Sequence, residues 1–184
     1  FDALEIHMAH GYLLHQFFSK ISNRRKDNYG GNLENRCRIL VEIIDKVRDI
    51  WPKDKILGAR ITGNDWLDDG ITIEDSIYLV KKLKDHGLDY VCISSGGILQ
   101  KTKMVFKPGY QVHLAREIKK RTGIITRTAG MITNFNQASA IIESGSADLV
   151  ALARKFIYDP TWLIHEIKRS NGQIDIPKQY ERCF

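Results

Sequence analysis

"KILGARITGNDWLDDGITIEDSIYLVKKLKDHGLDYVCISSGG", residues 55–97, sets two short apolar runs on either side of a helical pattern. "KILGARIT" (55–62) and "DYVCISS" (89–95) read as strands. Between them "TIEDSIYLVKKLKDHG" (72–87) opens on Thr72 as N-cap, with Asp75 three residues on, and stops at Gly87. Strands joined by a helix imply a parallel sheet.

The unit repeats in both directions. Upstream, "DALEIH" (2–7) reads as a strand. "NLENRCRILVEIIDKVRDI" (32–50) follows as a helix, with Ile39, Leu40, Ile43, Ile44 and Val47 on one face and Pro52 beyond its end. Downstream come a helix over 110–123, the strand "IITRTAG" (124–130), and an Asn-capped helix ending at Gly145. The strand "ADLVALA" (147–153) follows, and Asp159–Pro160 reads as the N-cap and first position of a last helix. These make five βα units whose strands show little alternation, so a sheet apolar on both faces is expected. An open doubly wound sheet and a (β/α)8 barrel both fit. No G-x-G-x-x-G stands at a strand–helix turn, which weighs against the dinucleotide fold. Five units are three short of a closed barrel. One domain over 1–184 is expected, and its only long connection is residues 8–32.

Hydrophobic residues make up 43% and charged residues 27%, as in ordinary globular chains. Neither an apolar run long enough for a membrane span nor a signal segment is present in the sequence, so no membrane association is expected. Cys37, Cys92 and Cys183 lie far apart with no C-x-x-C pair, which speaks against a disulfide framework and for a reducing, cytoplasmic setting. The net charge of +6 is spread among acids, as in "KKLKDHG", so solvated helix faces are expected rather than a nucleic-acid footprint. The surplus also suits phosphorylated ligands.

Parallel α/β folds build their sites at the C-terminal ends of strands. That rule selects His7, His10 and Tyr12 after the first strand, and Arg60 at the end of the second. Ser94 to Gly97 follow the third, Ala129 and Gly130 the fourth, and Ala153 and Arg154 the fifth. Gly130 and Arg154 suit a phosphate, since a glycine admits close approach and an arginine adds a bidentate charge. His7 and His10 have H-x-x-H spacing, but with no H-E-x-x-H and no evident acidic third ligand, no metal is expected. His15 is expected to pack or face solvent. Arg60 alternatively pairs with a buried acid. Asp27 and Tyr29, within a turn-and-cap stretch, are expected to be structural, and Cys37 and Cys92 to be core thiols.

The segment "EIHMAHGYLLHQFFSKISNRRKDNYGGNLENRCR" (5–38) resembles the signature of the old yellow enzyme family of flavin-dependent ene-reductases. The pattern is a strand ending H-x-x-[HN]-G-Y-L, then a loop to N-x-R-x-D-x-Y-G-G-[SN]-x-E-N-R. "GARIT", "PGYQVHLAREI", "AGMIT", "ADLVALARKFIYDP" and the ending "PKQYERCF" are similar too, so the resemblance covers essentially the whole chain. It points to the thermophilic-like bacterial branch, where both positions of the substrate pair are histidine.

The resemblance implies a (β/α)8 TIM barrel holding FMN, reduced by NAD(P)H, with this chain supplying strands four to eight. Its substrates would be activated alkenes such as enones or nitro-alkenes. His7 and His10 would bind the substrate oxygen, and Tyr12 would protonate the α-carbon. Arg60 would lie beside the flavin ring, and Gly130, Ala153 and Arg154 would hold the FMN phosphate. Arg182 would reach a neighbouring subunit's site in a homo-oligomer. Three departures stand out. Ala153 replaces a usual glycine, Arg127 occupies a small or apolar position without explanation, and the first three strands are missing. The Phe1 start is therefore expected of a fragment or processed chain. Two alternatives remain. One is a non-catalytic flavin- or phosphate-binding half-barrel. The other is a larger iron–sulfur relative of the dienoyl-CoA reductase or trimethylamine dehydrogenase type, although Cys183 stands here without the cysteine cluster such proteins carry.

Overall fold

The computed structural model describes residues 1–183. Its five strands are β1 (Ala3–Met8), β2 (Ile56–Thr62), β3 (Tyr90–Ser94), β4 (Ile125–Thr128) and β5 (Leu149–Val150). Every neighbouring pair is parallel, and the sheet runs β1-β2-β3-β4-β5. A doubly wound sheet reverses its order at a switch point. This one never does, and its winding is that of a barrel wall.

The helices are α1 (Leu13–Phe18), α2 (Leu33–Ile50), α3 (Ile73–Asp85), α4 (Val112–Thr122), α5 (Phe135–Glu143), α6 (Arg154–Tyr158) and α7 (Trp162–Arg169). A 3-10 turn spans Lys178–Cys183. None is long and apolar enough to cross a membrane. Thr72 and Asp75 form the expected capping box: Thr72 Oγ1 accepts the Asp75 N–H at 3.3 Å and Asp75 Oδ2 accepts the Thr72 N–H at 2.9 Å. Asn32 and Asn134 cap α2 and α5 in the same sense, accepting from Asn35 and Gln137.

Strand side chains alternate between two faces. Toward the helices, Leu57, Ala59 and Ile61 of β2 and Val91 and Ile93 of β3 are fully buried. They share one core with Leu40 and Ile44 of α2, Leu79 and Leu83 of α3, and Leu114 and Ile118 of α4. Each large member contributes about 1.5–3 kcal/mol on burial.

The other face corrects the expectation of a sheet apolar on both sides. It carries Glu5 and His7 of β1, Arg60 of β2, Tyr90 and Cys92 of β3, and Arg127 of β4, with His7, Arg60, Cys92 and Arg127 in one register row. Arg127, unexplained from sequence, pairs with Glu5, and its guanidinium lies 5.3 Å from the Tyr90 ring centroid. The Tyr90 hydroxyl donates to the same carboxylate at 2.7 Å. Gly58 makes room for that ring, since a Cβ there would stand 2.1 Å from it.

Residues 8–32 are less irregular than expected, because α1 lies inside them. Residues 95–111 form a second long connection that the sequence reading passed over. Asp159 ends α6 instead of opening α7: its carbonyl accepts the Trp162 N–H at 3.1 Å, and Thr161 takes the N-cap position. β5 is two residues long, shorter than the seven expected.

Gly58→Val should destabilise the folded protein by about 1–3 kcal/mol through overpacking against Tyr90. In urea titrations most of that loss should vanish when the substitution is made in a Tyr90→Ala background.

Candidate functional site

The site is built on the turn that follows β1. Tyr12 N–H donates to the Ala9 carbonyl at 3.2 Å, and the two residues between have positive φ, +59° at His10 and +75° at Gly11. Left-handed backbone costs a residue with a side chain about 1–2 kcal/mol, so something must hold His10 there. Part of the hold comes from the loop after β3. A Cβ on Gly11 would stand 2.3 Å from the Gly97 carbonyl oxygen, and one on Gly97 would stand 2.6 Å from His10 Cα. Only glycine at both positions lets the two backbones interlock.

Three rings converge at this turn. His7 and His10 meet edge-on with centroids 5.2 Å apart, and the Tyr12 ring lies 5.2 Å from His7. His10 Nε2 is 2.5 Å from Ser94 Oγ. Ser94 in turn lies 3.2 Å from Gln111 Oε1, and the Gln111 amide donates to the Ala129 carbonyl at 3.0 Å. A chain of polar contacts thus braces His10 from the ends of β3 and β4.

A cleft of about 630 Å³ opens beside it, with His10, Arg60, Gly130, Ala153 and Arg154 among its lining residues. His7 and Tyr12 join it through their ring contacts and do not line it. Arg182 stands exposed on the terminal 3-10 turn, outside the cleft lining. Sequence reasoning missed Tyr110, Gln111, Arg127 and Tyr158, which also line it. Tyr110 and Gln111 lie at the end of a long loop, where no periodic signal singles them out.

Arg60 decides the character of the cleft. The expected alternative, a buried acid paired with Arg60, is not what the fold provides: Glu5, the acid on the same face of β1, pairs with Arg127. The Arg60 side chain has no hydrogen bond or ion pair among the described residues, and its Nε is buried without a partner. Such a guanidinium calls for an anionic or electron-rich ligand. Gly130, at φ +110°, lies so close to Gln111 that an added Cβ would stand 2.7 Å from its amide nitrogen. These features fit a flavin mononucleotide, with a cation for its ring and a tight glycine turn plus Arg154 for its phosphate.

Burial pushes the His10 imidazolium down to about 4, with the Arg60 charge, His7 and His15 adding to the effect. His7 is lowered too, by burial first and Arg60 second. Near neutral pH both rings are uncharged, each with one N–H to donate.

The remaining signature residues are scaffold. Asp27 pairs with Arg25 and accepts the Tyr29 N–H at 3.1 Å, and the Tyr29 hydroxyl donates to Glu42 at 3.2 Å. Arg36 Nε donates to the Phe18 carbonyl at 2.9 Å, tying α2 to α1. Cys37 lies in the core, whereas Cys92 is buried on the polar face beside Arg127. The side chain of Cys183 lies outside the described residues. His15 is fully buried, and its Nδ1 accepts the Gly11 N–H at 2.8 Å.

The sequence model of the NADH:flavin oxidoreductase / NADH oxidase family matches residues 1–171. The chain belongs to that family. Over 182 residues, 99% of this chain, it is 44% identical to an NADPH dehydrogenase of Geobacillus thermodenitrificans and covers 53% of that protein. It thus spans about half the length of the curated relatives it matches. Among solved structures, the old yellow enzyme homologue from Zymomonas mobilis aligns with a TM-score of 0.74 at 25% identity, over 98% of this chain and 50% of that one. A 2-naphthoyl-CoA reductase aligns at 0.84 and 27%, over 92% of this chain and 26% of that one. The five-stranded arc is accordingly part of a TIM barrel, and FMN with NAD(P)H as reductant is the cofactor pair that family membership implies.

His10 binds its proton more readily unfolded than folded, so stability should fall as pH drops from 6.5 toward 4 and level off below. The slope from this one group should not exceed about 1.4 kcal/mol per pH unit. Denaturation midpoints measured across that range, with NMR titration of the His10 ring, check it.

Proposed function

We propose that the protein carrying this chain is an FMN-dependent, NAD(P)H-driven reductase of activated C=C bonds, taking α,β-unsaturated carbonyl or nitro compounds. The observation that carries this reading is the trio His7, His10 and Tyr12 beside a cleft whose Arg60 has no partner in the chain. Arg60 lies beside the flavin ring in this reading, where fixed positive charge favours the electron-rich reduced form. Gly130, Ala153 and Arg154 hold the phosphate. Ala153 keeps the backbone N–H that a glycine would offer there, and its side chain is exposed rather than pressed against the protein.

When bound, FMN supplies the hydride that passes from NAD(P)H to the β-carbon of the alkene. The chain's own residues do the rest. His7 and His10, uncharged, donate N–H groups to the carbonyl or nitro oxygen, His10 in the tautomer whose Nε2 accepts the Ser94 hydroxyl, and negative charge grows on that oxygen as the hydride arrives. Preorganised donors of that kind are worth about 10²–10³ in rate each. Tyr12 gives the proton to the α-carbon as general acid. Arg182, exposed on the terminal turn, reaches a second subunit's site in a homo-oligomer. In this reading the chain is one partial-barrel domain of a cytoplasmic enzyme acting on small molecules, with no nucleic-acid partner.

A second reading, a larger CoA-ester reductase, draws on the 2-naphthoyl-CoA reductase alignment. The higher identity to NADPH dehydrogenases, across nearly the whole chain, favours the first.

The visible spectrum of the purified protein tests the proposal. Flavin absorbance should bleach with NADPH and return with cyclohexenone, and a colourless protein that takes up no FMN would leave only a non-catalytic module. Tyr12→Phe should slow reoxidation by cyclohexenone by about 10²–10⁴-fold, the usual range for a lost general acid, and leave bleaching by NADPH unchanged.

A further inference from the structure

The Gly11 N–H can only donate, so the ring nitrogen it meets at 2.8 Å, His15 Nδ1, must carry a lone pair. The proton of the neutral His15 ring is then on Nε2, which faces Asp65 Oδ1 at 3.0 Å, with both side chains fully buried. That approach lies outside hydrogen-bond geometry, so neither atom has a hydrogen-bond partner among the described residues and Asp65 confines the ring by close contact. Asp65 is itself fixed: its Oδ2 accepts the Ile71 N–H at 2.8 Å and the Ser19 hydroxyl at 3.0 Å. From the same α1 helix, Gln16 Nε2 donates to the Gly11 carbonyl at 2.6 Å. The His10 N–H reaches Thr62 Oγ1, which is also 3.4 Å from His15 Nδ1. His15 therefore bridges the loop after β2 to the left-handed turn after β1.

We propose that His15, oriented by Asp65, is a positioning residue that holds the His10–Gly11 turn in its left-handed conformation and so aims His10 and Tyr12. The effect on turnover rests on the alkene-reductase reading above, but the hold on the turn does not. A ring that merely filled space would need neither its acceptor nor a defined tautomer. Two isosteric substitutions separate the ring's two ends. In His15→Asn the side-chain amide sits where Nδ1 was and can accept from Gly11. In His15→Gln it sits where Nε2 was and can meet Asp65 only.

The experiment is NMR on the ¹⁵N-labelled protein, with kinetics on the FMN-loaded form. In the unsubstituted protein His15 should be the Nε2–H tautomer, with a scalar coupling across the hydrogen bond between the Gly11 amide nitrogen and Nδ1. His15→Asn should keep the Gly11 amide protected from exchange and keep most activity. His15→Gln should lose that protection and lower kcat for cyclohexenone by about 10–100-fold, the scale expected of a misplaced catalytic group, with flavin reduction by NADPH little changed. An Nδ1–H tautomer, or equal Gly11 protection in the two variants, overturns the proposal. Should both variants fail to fold, the tautomer and coupling of the unsubstituted protein decide it. Should no alkene be reduced at all, the reductase reading falls while tautomer and exchange still decide the role of His15.

Discussion

Five parallel strands hydrogen-bonded in chain order can be joined only by crossovers of one hand, which place every helix on the same side of the sheet. That constraint gives the molecule its two unlike faces. One is sealed under helices and carries the aliphatic core. The other, among the described residues, carries ionisable groups on rigid strands. Because all strands run the same way, their C-terminal ends form one rim. His7, Arg60 and Arg127 share a register row as a consequence of this, although 120 residues of sequence separate the first from the last.

The electrostatics of the rim follow from which acid meets which base. Glu5 neutralises Arg127 and leaves Arg60 without a counter-charge. Partial burial first, and the Arg60 cation second, disfavour the charged forms of His7 and His10. The site therefore offers an excess of donors and positive charge. Such an environment suits an anionic cofactor and a transition state in which negative charge builds on oxygen.

Much of this was legible in the sequence for identifiable reasons. The capping box at Thr72 and Asp75 and the Asn caps at 32 and 134 are local chemistry, so they can be read without knowing what packs on them. The rim rule found His7, His10, Tyr12, Arg60 and Gly130 because strand ends can be located from strand patterns. What escaped depends on contacts across the fold. Arg127 makes sense only once Glu5, 122 positions away, is seen to face it. His15 lies on a six-residue helix too short to show a periodicity, so its burial was invisible. Ala153 and Arg154 line the cleft, but no pattern announces the short α6 beginning at Arg154, and Thr161 rather than Asp159 stands at the N-cap of α7.

The Glu5–Arg127 pair has a geometric meaning apart from its charge. The two residues sit three strand spacings apart, which on a flat sheet is a separation of about 14 Å before the offset of two register positions is added. Side chains of that length would have to lie fully extended along the sheet to meet across such a span. Their contact, with the Tyr90 ring filling the space between, sets the chord of the arc. The pair lies across the wall like a bowstring, joining β1, whose end carries the histidines, to β4, which leads into the Gly130 turn.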